Sequence, residues 1–204
     1  DAEVPAVLER LLSDQELMRM LAGYRFPRLN RWLPGVARSL VQLVLRREAR
    51  GVESVDDLQH RLEPYLDRLI ESSTLAVTYS GLDNLRSDQP HLFIANHRDI
   101  VMDPAFVNYA LYHAGHPTSR IAIGDNLLQR PFVADLMRLN KSFIVHRSLT
   151  GRREKLQAYQ TLSAYISHSI AEGQSIWIAQ AEGRAKDGLD ETDSAIIKMF
   201  CMSR

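Results

Sequence analysis

The sequence predicts an α/β fold: a mostly parallel sheet flanked by helices, preceded by an N-terminal helical segment. Three observations lead to this prediction. Residues 1–73 carry apolar side chains at helical spacing. Residues 74–204 alternate short apolar runs, typical of strands, with longer stretches of helical periodicity. The chain has 204 residues, which is enough for one α/β domain with a helical appendage.

The N-terminal segment is predicted to contain three helices. Apolar spacing, glycines and the Ser54/Asp57 capping box set their bounds, which are residues 2–23, 34–50 and 55–70. The stretch 24–33 is predicted to be irregular, because prolines interrupt it. The second helix is rich in arginine, so it could lie on an anionic membrane surface. Packing against the neighbouring helices is the favoured alternative.

The remaining elements alternate between strands and helices. Strands are predicted at 75–82, 91–95, 120–124, 142–147 and 175–180. Helices are predicted at 104–114, 126–139, 152–171 and from about residue 193. In an open parallel sheet, ligands bind outside the carboxyl ends of the strands. The polar residues that follow each strand are therefore expected to meet on one rim.

The strongest chemical signal follows the 91–95 strand. His97 stands where this strand ends, and Asp103 follows six positions later. A carboxylate at that place can fix the tautomer of the imidazole, which can then take a proton from a substrate hydroxyl. Asn96 can help to set the turn. Asp103 precedes a proline, so it could instead be a simple helix N-cap.

The other strand ends carry groups that suit an anion. Gly124 opens a predicted helix whose N–H groups could hold an anion, and Arg147 follows the next strand. The last strand is followed by Glu182, Gly183, Arg184 and Lys186. Among the charged residues of 120–155, basic residues outnumber acidic ones, which fits an anionic ligand. A solvated helix face is the commoner cause of such an excess of basic residues. A base, the carboxylate that orients it and two arginines suited to phosphate together indicate a particular reaction. In that reaction, the hydroxyl of a phosphate-bearing alcohol attacks an activated carbonyl.

Composition excludes several other classes of protein. The 25 basic and 25 acidic residues cancel, so net charge gives no argument for nucleic acid binding. No apolar run approaches the roughly 20 residues that cross a bilayer. His113 and His116 lie three residues apart without a third ligand nearby, so no metal site is predicted. The single cysteine, Cys201, excludes an internal disulfide.

Three sequence blocks together resemble those of a known family. NHRDIVMDP, FIVHR and AEGRAKDG resemble, in order and spacing, the signature blocks of the glycerolipid acyltransferases, which include the bacterial glycerol-3-phosphate and 1-acylglycerol-3-phosphate acyltransferases. The resemblance covers residues 75–200. It implies the fold of that family and direct acyl transfer from acyl-CoA or acyl-carrier protein to a phosphorylated glycerolipid, with no further cofactor. It also implies a peripheral location on the cytoplasmic face of the inner membrane.

The resemblance implies a role for particular residues. His97 matches the catalytic histidine, and Asp103 matches its paired aspartate. Acceptor binding is implied for Arg147 and for the Glu182, Gly183 and Arg184 block. Weaker expectations fall on the neighbouring residues Asn96, Arg98, Asp99, Gly124 and Lys186. Backbone donors would stabilise the oxyanion.

Two departures from the family leave alternatives open. Five residues separate His97 from Asp103 where the family has four, so Asp99 could be the partner, although Asp103 is favoured by the proline after it. The family's fourth block is not found before the chain ends, so the α/β domain, residues 74–204, is expected to be truncated, and the alternative is that this block has diverged in sequence. The rival functions are transfer to another acceptor, such as a lyso-aminolipid, and a non-catalytic lipid-binding or membrane-binding module.

Overall fold

The computed structural model describes residues 2–202, which form two compact units. The first unit contains the residues up to Val77 together with Arg130–Leu139, and the second contains Thr78–Gln129 and the residues from Asn140 onward. The described residues include a four-stranded parallel sheet with helices on both sides, and a helical N-terminal segment. The predicted α/β fold is confirmed.

The helices and strands are numbered in chain order. The helices are α1 (Val4–Ser13), α2 (Gln15–Arg25), α3 (Pro27–Trp32), α4 (Pro34–Glu48), α5 (Val55–Ser73), α6 (Met102–His113), α7 (Pro131–Leu139), α8 (Arg152–Ala171) and α9 (Ser194–Phe200). The strands are β1 (Leu92–Ala95), β2 (Arg120–Gly124), β3 (Ser142–Val145) and β4 (Ile176–Ala179).

The N-terminal segment differs from the prediction in two places. The single helix predicted at 2–23 is divided into α1 and α2, because the backbone of Asp14 is extended and its carboxylate caps α2 by accepting the Leu17 N–H at 2.8 Å. The stretch 24–33, predicted to be irregular, contains α3, since Pro27 stands at the first position of a helix, where it is tolerated. The predicted capping box of α5 is confirmed.

Apolar side chains from distant parts of the chain form the core of the first unit. The main cluster consists of Val4, Val7, Leu11, Val52, Phe132 and Leu139. Beside it, the Asp135 carboxylate accepts two hydrogen bonds from the Arg10 guanidinium, at 2.8 and 3.0 Å, and one from Arg138 at 3.0 Å. These donors, Arg10 above all, hold the pKa of Asp135 below its ordinary value of 3.8. The polar cluster therefore fastens α7 to α1.

The sheet of the second unit has the strand order β1-β4-β2-β3, and every neighbouring pair is parallel. The outer pairs, β1 with β4 and β2 with β3, are each in register over four residues. The central pair, β2 with β4, is joined only at Arg120–Ile176 and Ile121–Trp177. The two strands stop pairing beyond that point, so the sheet opens between them at its carboxyl edge.

The first predicted strand, 75–82, is absent. Residues 75–81 have no regular structure, Leu75 is fully exposed, and a short 3-10 helix occupies Leu82–Asn84. Alternating polarity gives a segment one apolar face, as in a half-buried strand. A strand also needs a neighbouring strand for its backbone hydrogen bonds, and the alternation does not provide one. Within the described residues β1 pairs with β4 alone, so its other edge carries no strand.

Among residues 2–202, no helix combines the length and the apolar character that a membrane span requires.

Removing the charge of Asp135 is expected to destabilise the protein. Asp135→Asn would turn an amide N–H toward the Arg10 donors, and we expect the free energy of unfolding at pH 7 to fall by about 1–2 kcal/mol. Because the pKa of Asp135 is depressed in the folded state, this advantage of the wild type should be complete above pH 3.8 and disappear as the pH falls further.

Urea denaturation of both proteins between pH 7 and pH 3 measures this difference. The matched control is Asp88→Asn, which removes the exposed Arg86–Asp88 ion pair and should change stability little. Equal stability of Asp135→Asn and wild type at pH 7 would contradict the prediction.

Candidate active site

The imidazole of His97 is paired with the carboxylate of Asp103. His97 follows β1, and Asp103 lies in the first turn of α6. The distance from His97 Nδ1 to Asp103 Oδ2 is 2.9 Å, and the two side chains are 13% and 24% exposed. A carboxylate accepts only, so Nδ1 is the donor in this contact, and in the neutral imidazole Nε2 is the atom that can accept a proton.

The turn between these two residues is built around the Asp103 carboxylate. Besides the imidazole, Asp103 Oδ2 accepts the backbone N–H groups of Arg98 at 2.7 Å and of Asp99 at 2.9 Å. Three donors therefore converge on one oxygen, and two of them come from the five residues between His97 and Asp103. The turn accommodates the longer spacing without separating the pair.

Asp99 has a different role in this turn. Its Oδ1 accepts the backbone N–H groups of Val101 and Met102, each at 2.8 Å, at the start of α6. The bond from Met102 is the chief reason why the pKa of Asp99 lies below its ordinary value. The structure thus brings Asp103, and not Asp99, to His97. The interpretation of Asp103 as a simple helix cap is wrong, because its carboxylate binds the imidazole and the preceding turn.

The indole of Trp177 fixes the other side of the imidazole. The ring of Trp177 is 2% exposed, and its centroid lies 5.8 Å from that of His97 at an interplanar angle of 74°. Such an edge-to-face contact restricts rotation of the His97 ring. Trp177 belongs to β4, so a central strand of the sheet helps to hold the imidazole in place.

At the neighbouring strand ends, Gly124 permits a close approach of Arg147. A Cβ atom at Gly124 would lie 3.1 Å from both Cδ and Nε of Arg147, and 2.4 Å from Oδ1 of Asn126. Asp125 accepts the Ser148 hydroxyl at 2.7 Å and, at 3.3 Å, the Arg147 N–H. The Ser148 bond is the main reason why the pKa of Asp125 is lowered. These contacts hold the start of the segment after β3 beside the end of β2.

One expected anion-binding feature is not present here. The helix predicted to begin at residue 126 is replaced by a short 3-10 helix, Asp125–Leu127, and α7 begins only at Pro131. Pro131 sets the start of α7, since proline favours the first helical position. Gly124 therefore serves the packing of Arg147 and does not open an α-helix.

A cavity of about 320 Å³ lies at the carboxyl edge of the sheet in the second unit, where β2 and β4 separate. It is lined by seven residues that the sequence indicated, namely His97, Gly124, Arg147, Glu182, Gly183, Arg184 and Lys186. Lys155 and Tyr159 of α8 also line it and were not predicted as site residues. The signal for Lys155 was its place in the basic segment 120–155. Tyr159 gave no signal, because it resembles any half-buried aromatic residue on a helix.

Four arginine and lysine side chains line the cavity, against two carboxylates. Among residues 2–202, no hydrogen bond or ion pair is made by the side chains of Arg147, Lys155, Arg184 or Lys186. Glu182 and Asp193 supply the negative charges, and the Asp193 carboxylate is engaged in capping α9. Unpaired cations around a concave surface favour an anionic ligand.

The other predicted residues lie outside this cavity. Asn96 is exposed and does not line it. The Arg98 guanidinium donates instead to Asp190. Within the described part of the chain, no group of three or more His, Cys, Asp or Glu side chains is arranged to hold a metal ion.

A comparison with protein-family models identifies the family of the chain. The model of the Acyltransferase family matches residues 76–192, which is more than half of the chain and includes all three signature blocks. No curated protein matches the sequence.

Proposed function

The chain belongs to the glycerolipid acyltransferase family, and we propose that it transfers a fatty acyl group from an acyl thioester to a hydroxyl of a phosphorylated glycerol. Membership of this family indicates an acyltransferase of lipid biosynthesis. The proposed acceptor is 1-acylglycerol 3-phosphate or glycerol 3-phosphate. One observation carries it: the His97–Asp103 pair stands beside a cavity bordered by unpaired cations.

In the proposed reaction His97 is the general base. Its Nε2 takes the proton of the acceptor hydroxyl as the oxygen attacks the thioester carbonyl. Asp103 holds the proton on Nδ1 and stabilises the imidazolium that forms. The C–S bond then breaks, the new ester is released, and the imidazolium returns its proton to the leaving thiolate. Every proton is accounted for without a second acid.

Direct transfer is supported by the residues that line the cavity. An acyl-enzyme intermediate would require a nucleophilic side chain beside the base. No serine, threonine or cysteine lines the cavity among the described residues, and Cys201 is exposed elsewhere. The acyl donor would be acyl-CoA or acyl-carrier protein, acting as a co-substrate. The proposed reaction requires no further cofactor.

The arginines at the cavity are proposed to bind the acceptor phosphate. Arg147 reaches the cavity from the segment after β3, and Arg184 reaches it from the segment after β4. A guanidinium can donate two parallel hydrogen bonds to phosphate oxygens. Gly183, at φ +85°, lets the backbone turn between Glu182 and Arg184.

Peripheral membrane association is proposed for the first unit. One face of α4 packs through Ala37 and Val41 on α2. A second face, which we call the α3–α4 apolar face, is exposed and consists of Trp32, Leu33, Val36, Leu40, Leu43 and Val44. Residues 24–50 also contain seven arginines and one glutamate. An apolar stripe with surrounding basic residues suits an anionic bilayer, such as the cytoplasmic face of the inner membrane.

Replacement of the catalytic pair tests the mechanism. With long-chain acyl-CoA and either acceptor, His97→Ala should lower kcat by about 10³-fold, and Asp103→Asn by on the order of 10²-fold. Asp99→Asn should retain most of the activity, because asparagine also caps helices. Steady-state kinetics of the folded variants measures these effects.

The opposite ranking of Asp99→Asn and Asp103→Asn would contradict the assigned partner. An absence of turnover with both acceptors from the folded wild type would favour a different acceptor, such as a lyso-aminolipid, or a non-catalytic lipid-binding module.

The arginines should affect acceptor binding selectively. Arg147→Gln and Arg184→Gln are each expected to raise KM for the phosphorylated acceptor about 10-fold or more, because each removes a charged hydrogen-bond donor to the phosphate. KM for acyl-CoA should change little. Arg86→Gln, outside the cavity, is the control. An unchanged acceptor KM in both site variants would mean that the acceptor is not recognised through its phosphate.

Binding to vesicles tests the proposed membrane contact. Trp32 is 80% exposed, so its fluorescence should shift to shorter wavelength with vesicles of phosphatidylglycerol and phosphatidylcholine, and not with phosphatidylcholine alone. Leu43→Asp should abolish the shift, whereas Leu62→Asp, at an exposed site on α5, should preserve it. A normal shift in Leu43→Asp would reject this face, and dimerisation lost in that variant would identify a second copy as its partner.

A further inference from the structure

The segment after β4 forms a loop that is closed at its base. The backbone oxygen of Gln180 accepts the Asp193 N–H at 2.9 Å, and the Gln180 side chain accepts the Thr192 hydroxyl at 3.0 Å. Residues 181–192 therefore leave the sheet and return to it as one loop. This 181–192 loop carries Glu182 and Arg184, which line the cavity.

Three contacts join the 181–192 loop to the segment that carries His97. The Ala185 N–H donates to the backbone oxygen of His97 at 2.8 Å. The Arg98 guanidinium donates to the Asp190 carboxylate and, at 3.4 Å, to the backbone oxygen of Gly188. Since the Arg98 N–H also donates to Asp103, one residue contacts both the catalytic pair and the loop.

Polar contacts, and not apolar burial, determine the position of this loop. Residues 186–192 are exposed, among them Leu189. Gly183 and Gly188 both adopt positive φ, at +85° and +79°, and so mark two sharp turns. A segment with few buried apolar contacts opens at low free-energy cost. An ion pair that holds the 181–192 loop closed therefore increases the fraction of molecules in which the loop is closed.

We propose that the Arg98–Asp190 ion pair holds the 181–192 loop closed against the His97 segment and thereby positions Arg184 for the acceptor. Arg98 is a positioning residue and not a ligand of the substrate, because its guanidinium is engaged by Asp190 and does not line the cavity. Asp190 also raises the pKa of Arg98 above its ordinary value. The role assigned to Arg184 rests on the proposed function, whereas closure of the loop does not.

Hydrogen exchange tests loop closure without any activity. In Arg98→Gln and in Asp190→Asn, the Ala185 amide should exchange about fivefold faster than in wild type, the upper limit for an exposed ion pair. The Asp193 amide, at the base of the loop, should keep its rate. Arg86→Gln breaks an exposed ion pair outside the loop and should leave Ala185 unchanged. Unchanged exchange of Ala185 in both loop variants would overturn the proposal.

Kinetics distinguishes positioning from direct binding. We expect Arg98→Gln, Asp190→Asn and the double variant to raise the acceptor KM by the same factor, about three to five, with kcat within about twofold of wild type. A raised KM in Arg98→Gln alone would instead make Arg98 a ligand of the acceptor and overturn the proposal. If wild type lacks acyl transfer, the proposed function fails while the exchange of Ala185 still decides whether the ion pair closes the loop.

Discussion

The separation of β2 from β4 is the constraint on which the site depends. All four strands are parallel, so their carboxyl ends lie on one edge, and the segments that follow them meet there. The two central strands, β2 and β4, pair at only two positions, Arg120 with Ile176 and Ile121 with Trp177. Beyond these residues the backbone groups of the two strands no longer satisfy one another, and a cavity takes the place of the ladder. Helices on both faces of the sheet keep the outer pairs together while the centre stays open.

Two different kinds of interaction hold the His97 imidazole in place. The Asp103 carboxylate oxygen, in the first turn of α6, accepts three hydrogen bonds and so sets the orientation of the His97 ring. The same three donors stabilise the negative charge of Asp103. The indole of Trp177 restricts the ring by contact alone. The first restraint is local in sequence and the second comes from β4, eighty positions later. The chemistry of the histidine thus depends on the sheet being assembled.

Much of the fold could be predicted, because buried parallel strands are continuous apolar runs and long helices are periodic. β2 and α8 match their predicted bounds, whereas the strand at 75–82 failed because alternation cannot supply a hydrogen-bonding neighbour. Within the site, His97 and its carboxylate were apparent from spacing, but the choice between Asp99 and Asp103 required the turn itself. The Arg98–Asp190 pair spans 92 positions, and no local pattern indicates such a contact. Lys155 was visible only as one charge in a basic run.

Charged side chains in this protein fall into two groups according to whether the protein pairs them. Arg10 with Asp135, and Arg98 with Asp190, have partners and fix one segment against another. Another set of cations, Arg147, Lys155, Arg184 and Lys186, borders one cavity, and among the described residues their side chains make no hydrogen bond or ion pair. Like charges held together repel, and the two carboxylates of the same cavity, Glu182 and Asp193, do not balance the four cations, so the proposed anionic ligand would supply the missing negative charge. The apolar residues of the same cavity, including Ile121, Leu162 and Met199, would exclude water from the reacting carbonyl. The proposed substrates, a phosphorylated acceptor and a fatty acyl donor, would meet both requirements in a single reaction.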